Sequence, residues 1–234
     1  NNNDLKNAKK YIFLEYFIIS NEGTMWTQIL NILKEKVKEG IEVRIMYDDM
    51  GCIPYLPENY PKYLESLNIK CIVFNKLKIY NGIFMNNRDH RKITVIDGKI
   101  AYTGGLNFSD EYINKQSRFG YWKDNAIKLE GDSVWNLTVM FLTLWNSYHK
   151  EDDNYLKFKT PSNKTIEPNG YISCYGSVPL NGILEGEDVY LNIINKAINY
   201  VYITTPYLII DTDMINALIL AVKRGVDVKI IIPG

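Results

Sequence analysis

Residues 89–107 read DHRKITVIDGKIAYTGGLN. Two apolar, β-branched runs flank an Asp-Gly pair, a strong short-range hairpin signal because both central positions of a type I′ turn want φ > 0. Asp97 and Gly98 are therefore expected to fold the stretch on itself, with Lys92 roughly opposite Thr103 and His90 roughly opposite Gly105. Side chains two apart on a strand share a face at a spacing of about 6.6 Å. His90 and Lys92 then point one way and Arg91 the other. Gly104 and Gly105 leave open backbone beside the histidine where a ligand can approach closely. Asn107 lies just past them, able to offer an amide N–H to the same pocket.

The chain has two histidines. Placing one of them beside an ammonium, an amide and bare glycine backbone suits a phosphate. Lysine and amide neutralise or hydrogen-bond its non-bridging oxygens, while imidazole attacks phosphorus or moves a proton. Asp97 is seven residues along from His90, roughly 23 Å in extended chain, so it reads as a turn residue and its replacement by Asn is expected to be mild. Another carboxylate must then fix the tautomer of His90. Asp110, Glu111 and Asp124 are the candidates. The first two open a helix after "NFS", where acids commonly serve only the helix terminus. Asp124 opens a strand that can run beside the hairpin. Glu15 interrupts the apolar "YIFLEYFII"; such a carboxylate is either neutralised by a buried partner or lines the site. His149 follows an apolar helix and has no comparable surroundings.

Outward from the hairpin, apolar runs alternate with amphipathic ones. "KKYIFLEYFIIS" reads as a buried strand, "TMWTQILNILKEKVKEG" as a helix closed by Gly40, and "IEVRIMYDD" and "NIKCIVF" as further strands. This alternation predicts an α/β fold with a mainly parallel central sheet covered by helices. "DSVWNLTVMFLTLWNSY" carries apolar residues at helical spacing and reads as core-facing rather than membrane-surface. The opening recurs late in the chain. "LAVKRGVDVKIIIPG" follows "EKVKEGIEVRIMYDD" nearly position for position, with Gly225 over Gly40, which indicates a duplicated domain. The expected organisation is a first domain over 1–150, a polar linker or long loop over 151–170, and the start of a second domain over 171–234. A second histidine motif would fall near position 275 by that repeat, so this chain carries only the first.

Lys plus Arg and Asp plus Glu balance at 27 each, which gives no basic footprint for nucleic acid, and none is expected as partner. Three widely spaced cysteines fit neither a disulfide framework nor a metal site. The start, NNNDLKN, has no methionine and no cleavage pattern; the chain reads as a soluble piece of a longer protein.

His90, Lys92, Asp97, Gly104, Gly105 and Asn107 fit the H-x-K-x4-D-x6-G-[GS]-x-N signature of the phospholipase D superfamily. "YDDMGC", "GGLNFSDEY" and "YWKDNAIKLEG" further resemble the two-copy bacterial cardiolipin synthases along nearly the whole chain. The resemblance implies a duplicated αβα sandwich with two such motifs facing each other. One histidine becomes a phosphohistidine while the other is acid, then base. The implied reaction joins two phosphatidylglycerol molecules into cardiolipin and glycerol, with no metal or other cofactor. It also implies an acidic residue some thirty positions after the histidine, which favours Asp124. The implied setting is a bacterial cell membrane, with the catalytic part on the cytoplasmic side. Gly105 departs from members that carry Ser there, and the second motif is missing. The partial chain is thus expected to be inactive alone and to need the half bearing the second motif. Two other readings stand beside this one. One is a phosphodiesterase or nuclease that dimerises to assemble two motifs; the other is a non-enzymatic module binding phosphate or lipid.

Overall fold

After the short helix α1 (Asn2–Lys6), strand β1 (Tyr11–Tyr16) is buried at every position. Its alternation sends Ile12, Leu14 and Tyr16 into one hydrophobic cluster and Tyr11 and Phe13 into another. A strand buried on both faces needs a helical layer on each side, and the molecule supplies them. Helices α2 (Thr24–Lys38) and α4 (Tyr60–Ser66) cover the first face with Trp26, Leu30, Leu33, Tyr60 and Leu64. Between them lie β2 (Glu42–Asp48) and the single turn α3 (Asp49–Cys52). Strands β3 (Lys70–Phe74), β4 (Ile93–Ile96), β5 (Ile100–Gly104) and β6 (Ala126–Glu130) complete a six-stranded sheet, and α5 (Val134–Asn146) covers its second face. Each large apolar side chain so buried contributes roughly 1.5–3 kcal/mol. The computed structural model describes residues 2–77, 86–118, 120–149, 153–161, 170–177 and 184–233.

The sheet order is β3-β2-β1-β4-β5-β6. Strands β1, β2 and β3 are parallel neighbours; β4 runs against β1, β5 against β4 and β6 against β5. The result is an α/β sandwich on a mixed sheet in which four of six strands share a direction. The antiparallel half follows from the Asp-Gly turn, since a tight hairpin can only join antiparallel strands.

The hairpin register differs from the expected one. Ile96 faces Ile100 and Ile93 faces Thr103, so Asp97, Gly98 and Lys99 form a three-residue connection. Asp97 (φ 55°) and Gly98 (φ 64°) both take the left-handed conformation the sequence implies. The third loop residue slides every pair by one, which moves Lys92 from Thr103 to a position level with Gly104.

The chain divides into two compact units, residues 1–174 and 175–234. Part of the stretch expected as a linker belongs to the first core. Tyr155–Phe158 form a 3-10 turn, and Phe158 is buried against Tyr11 and Phe13. Arg44 is buried there too, its guanidinium 4.9–5.1 Å from the rings of Phe13, Trp145 and Phe158 and ion-paired to Glu42 and Asp153. Positions 151–152 and 162–169 of that stretch lie outside the described residues.

In the second unit, α6 (Glu185–Lys196) precedes β7 (Tyr200–Thr204), α7 (Thr212–Lys223) and β8 (Asp227–Ile231), with β7 and β8 parallel. Helices α2 and α7 end alike. Gly40 and Gly225 have φ 82° and 89°; Ile41 N–H reaches Lys36 O at 3.0 Å and Val226 N–H reaches Ala221 O at 3.1 Å. That is the same Schellman closure, which needs a left-handed residue and so favours glycine. Tyr11 faces Glu42 while Tyr200 faces Asp227, so the second strand–helix–strand unit is four residues shorter, about one helical turn.

Candidate functional site

Strand β4 starts at Ile93, so residues 89–92 lie just outside the ladder, at the edge of the sheet where β1 and β2 end. In open α/β sheets the carboxyl ends of parallel strands are where ligands bind. Several buried side chains hold this edge. Asp48, the last residue of β2, caps α3 by accepting from Gly51 N (3.1 Å), and also accepts from Asp89 N (2.9 Å) and Arg88 (3.3 Å). Burial pushes the Asp48 carboxyl above its usual range. Phe17, the residue after β1, presents its ring to the other side of the motif: His90 lies on it at 4.7 Å between centroids, and Lys92 Nζ sits 5.4 Å from the same centroid. The two motif side chains therefore share a face, as their spacing requires.

Lys92 is buried (5% exposed), and its ammonium donates to the carbonyl of His90 at 2.6 Å. Burial lowers its pKa to about 8, against the pull of the Asp89, Asp124 and Asp48 carboxylates. Burial also holds His90 below the ordinary imidazole range, with the neighbouring Lys92 charge acting in the same direction and Asp89 opposing it. A neutral imidazole has a free lone pair at physiological pH, which a nucleophile or general base needs. The ammonium beside it can meet the negative charge that builds on a phosphoryl group.

The sequence model described as the phospholipase D-like domain of cardiolipin synthase matches residues 2–129 and 190–234. The chain belongs to that family. Among curated relatives, an uncharacterized protein of Streptococcus mutans is 51% identical over 230 residues, covering 98% of this chain and 50% of that protein. Cardiolipin synthase 1 of Staphylococcus aureus strain COL is 39% identical over 233 residues, covering 98% of this chain and 46% of that protein. The chain thus spans about half the length of these relatives. Among solved structures, phosphatidylserine synthase from Haemophilus influenzae superposes over 99% of this chain and 58% of its own, with a TM-score of 0.65 at 12% identity, a likeness of fold.

Against this phospholipase D-like frame, several of the expected site residues take other roles. Asn107 is buried and does not offer its amide to a pocket: its Oδ1 accepts from Ile18 N (3.0 Å) and its Nδ2 donates to Tyr112 Oη (2.8 Å). It ties the loop after β1 to the loop after β5. The glycine pair is open on one side only: Gly105 is exposed, but the side where a Cβ would stand is taken at both positions. A Cβ at Gly104 would lie 2.4 Å from Asn125 O, and one at Gly105 would lie 2.2 Å from Asp124 Oδ1. Both glycines exist to let the start of β6 come close. Asp97 accepts at its carboxylate from the N–H groups of Lys9, Lys10 and Tyr11 (2.8, 2.7 and 3.0 Å), fastening the start of β1 at the end of the hairpin remote from His90.

Asp124 is brought to the site, though not onto the imidazole. It accepts from Trp122 Nε1 (3.0 Å) and Asn125 N (2.7 Å), lies against Gly105, and its charge bears on Lys92. Asp110 serves a helix terminus, but that of α2: it accepts from Thr24 N (2.8 Å), Thr24 Oγ1 (2.9 Å) and Met25 N (2.8 Å). Glu111 is buried in the 3-10 turn Asp110–Ile113 that also holds Asp110. Glu15 is fully buried and ion-paired to Arg91 (2.7 Å). His149 closes α5, its Nδ1 2.9 Å from Trp145 O. The α5 face of Val134, Leu137, Phe141 and Trp145 is core.

Phe17, Asp48, Asp89 and Arg91 were not legible as site residues: a carboxylate in an apolar strand demands a cation, but only the pairing of β1 with β4 puts Arg91 beside Glu15. For Phe17 the sequence carries no signal, because a loop places its ring.

Proposed function

We propose that this chain supplies one half of a phosphatidyl-transfer site that joins two phosphatidylglycerol molecules into cardiolipin and glycerol. The observation that carries the reading is the shared face of His90 and Lys92, with the imidazole kept neutral and the ammonium beside it at the sheet edge. Unit 1–174 is read as the first copy of a domain and 175–234 as the start of a second, since their strand–helix–strand cores close through the same glycine geometry. The first copy would contribute His90, and the half of the protein bearing the second motif the other histidine.

In the first step one imidazole attacks the phosphorus of a phosphatidylglycerol. The P–N bond forms, the P–O bond to the headgroup glycerol breaks, and the departing alkoxide takes a proton from the second histidine. In the second step that histidine removes a proton from the hydroxyl of another phosphatidylglycerol. The new P–O bond forms as the P–N bond breaks, returning both histidines to their starting state. Lys92 would meet the non-bridging oxygens. Asp124, beside Gly105, would steady the charged form of the site. The proposed partners are an anionic membrane surface and the half of the protein bearing the second motif, and the proposed setting is the cytoplasmic face of a bacterial cell membrane. Among the described residues no helix is long and apolar enough to cross a membrane.

A general acid is worth roughly 10²–10⁴-fold, so the 234-residue chain as a strict monomer should not form cardiolipin. It should still bind a phosphate group. In NMR titrations, the His90 pKa is expected to rise as inorganic phosphate is added, and the response should vanish in Lys92→Ala. A His90 signal indifferent to phosphate would overturn the proposed pocket.

A further inference from the structure

Residues 89–92 carry the motif but lie outside the ladder, so side chains rather than sheet hydrogen bonds must set their backbone. Those side chains meet at Arg91. Glu15, fully buried in β1, has Oε1 2.7 Å from Arg91 Nε. The same Nε lies 3.1 Å from Asp89 Oδ1, which also accepts the Arg91 backbone N–H at 3.2 Å. Asp89 is 5% exposed, and its own N–H is held by Asp48. One guanidinium thus sits between two buried carboxyls and bridges β1 to the residues on either side of His90. The contact with Glu15 is ionic rather than a well-aligned hydrogen bond: both Glu15 oxygens and Asp89 Oδ2 lack an aligned donor. Burial and the second carboxyl hold Glu15 well above the usual carboxylate range, against Arg91.

This arrangement makes little sense as a source of stability. Desolvating such ions costs several kcal/mol each, and well-packed apolar replacements of similar volume are often as stable or more so. A cluster that brings no clear gain in stability, and that grips the two residues flanking His90, has a positional use. We propose that Glu15, Asp89 and Arg91 form a buried positioning device that sets the backbone of residues 89–92, and through it the placement of His90 and Lys92 against Phe17. It rests on the reading of His90 and Lys92 as the reacting pair. None of its three members touches substrate; they are positioning residues. Lys92 completes the device by holding the His90 carbonyl.

The test replaces all three ionisable groups with uncharged ones of similar size, Glu15→Leu and Arg91→Met together with Asp89→Asn, in the 234-residue chain. A thermal melt and the NMR titration of His90 are read without any ligand. Of the three it is Asp89 whose charge bears on His90, raising its pKa, so the loss of that charge alone would lower the value. The melt should stay at or above that of the parent chain. The His90 pKa should climb toward the free-imidazole value of about 6.5, and the ring-current shift from Phe17 on its ring protons should shrink. A folded variant with His90 titration and ring-current shift both unchanged overturns the proposal. Should that variant not fold, Arg91→Lys keeps the charge but places an apolar methylene where Nε meets both carboxylates; the same shifts are expected, and their absence is equally decisive. In a chain carrying both motifs, either variant should lose about 10²-fold in turnover, the scale of an ångström-sized misplacement. Because the spectra are ligand-free, a parent chain that ignores phosphate would sink the phosphate-site reading separately.

Discussion

Replacing Lys92 with Met should make the protein more stable and useless for phosphoryl chemistry. The ammonium is 5% exposed, and burial takes its pKa from the ordinary 10.5 to about 8. A pKa unit is worth 1.36 kcal/mol, so holding the charge inside the folded protein at pH 7 costs about 3 kcal/mol. Met removes the charge at similar volume but forfeits the hydrogen bond to the His90 carbonyl, worth about 1 kcal/mol. The net gain should be about 1 to 3 kcal/mol, or several degrees in melting temperature for a unit of this size. The pH dependence carries a second signature. Below pH 8 the folded and unfolded chains both hold the proton, so the cost is constant. Between about 8 and 10.5 the unfolded chain holds more protons than the folded one, so this lysine makes stability rise with pH. Lys92→Met lacks that rise, and the difference between the two melting curves should close across the window. Calorimetric melts from pH 6 to 10.5 on both chains measure it. A Lys92→Met chain that melts lower at pH 7 would refute the reasoning, because the buried ammonium would then be a net stabiliser.

Two further outcomes follow from particular contacts. Asp97→Asn leaves three backbone donors facing a group that is itself half donor, so stability should fall by on the order of 3 kcal/mol, read in a denaturant melt; a loss under about 1 kcal/mol would contradict the contacts made by its carboxylate. Gly105→Ala sets a methyl where the Asp124 carboxylate lies. In a chain with both motifs it should cut turnover more than tenfold with little change in melting temperature, whereas unchanged turnover would remove Asp124 from the site.

The sequence made the strand–helix alternation, the Asp-Gly turn, the α5 core face and the shared face of His90 and Lys92 readable, because each depends on local periodicity or local φ preferences. What it hid depends on distant partners. Nothing near Asp97 says that its carboxylate reaches Lys9, Lys10 and Tyr11; the expectation that Asn would be harmless there saw only the turn. Asn107 looked free because Ile18, whose N–H its Oδ1 accepts, lies 89 residues away. Gly104 and Gly105 promised space, yet the segment entering β6 takes the side where a Cβ would stand, and one extra loop residue at Lys99 moved the whole register. Asp110 was read as serving its own turn when it caps a helix 85 residues earlier. Glu15 was recognisable as needing a partner, but only the pairing of β1 with β4 shows the partner to be Arg91.

The central claim is that His90 takes part directly in moving a phosphatidyl group. It is tested most directly by product analysis on a chain extended to carry both motifs, presented with phosphatidylglycerol in mixed micelles. The account predicts cardiolipin and free glycerol in equal amounts from the parent, and neither from a folded His90→Ala chain. Cardiolipin formation that survives His90→Ala would contradict it.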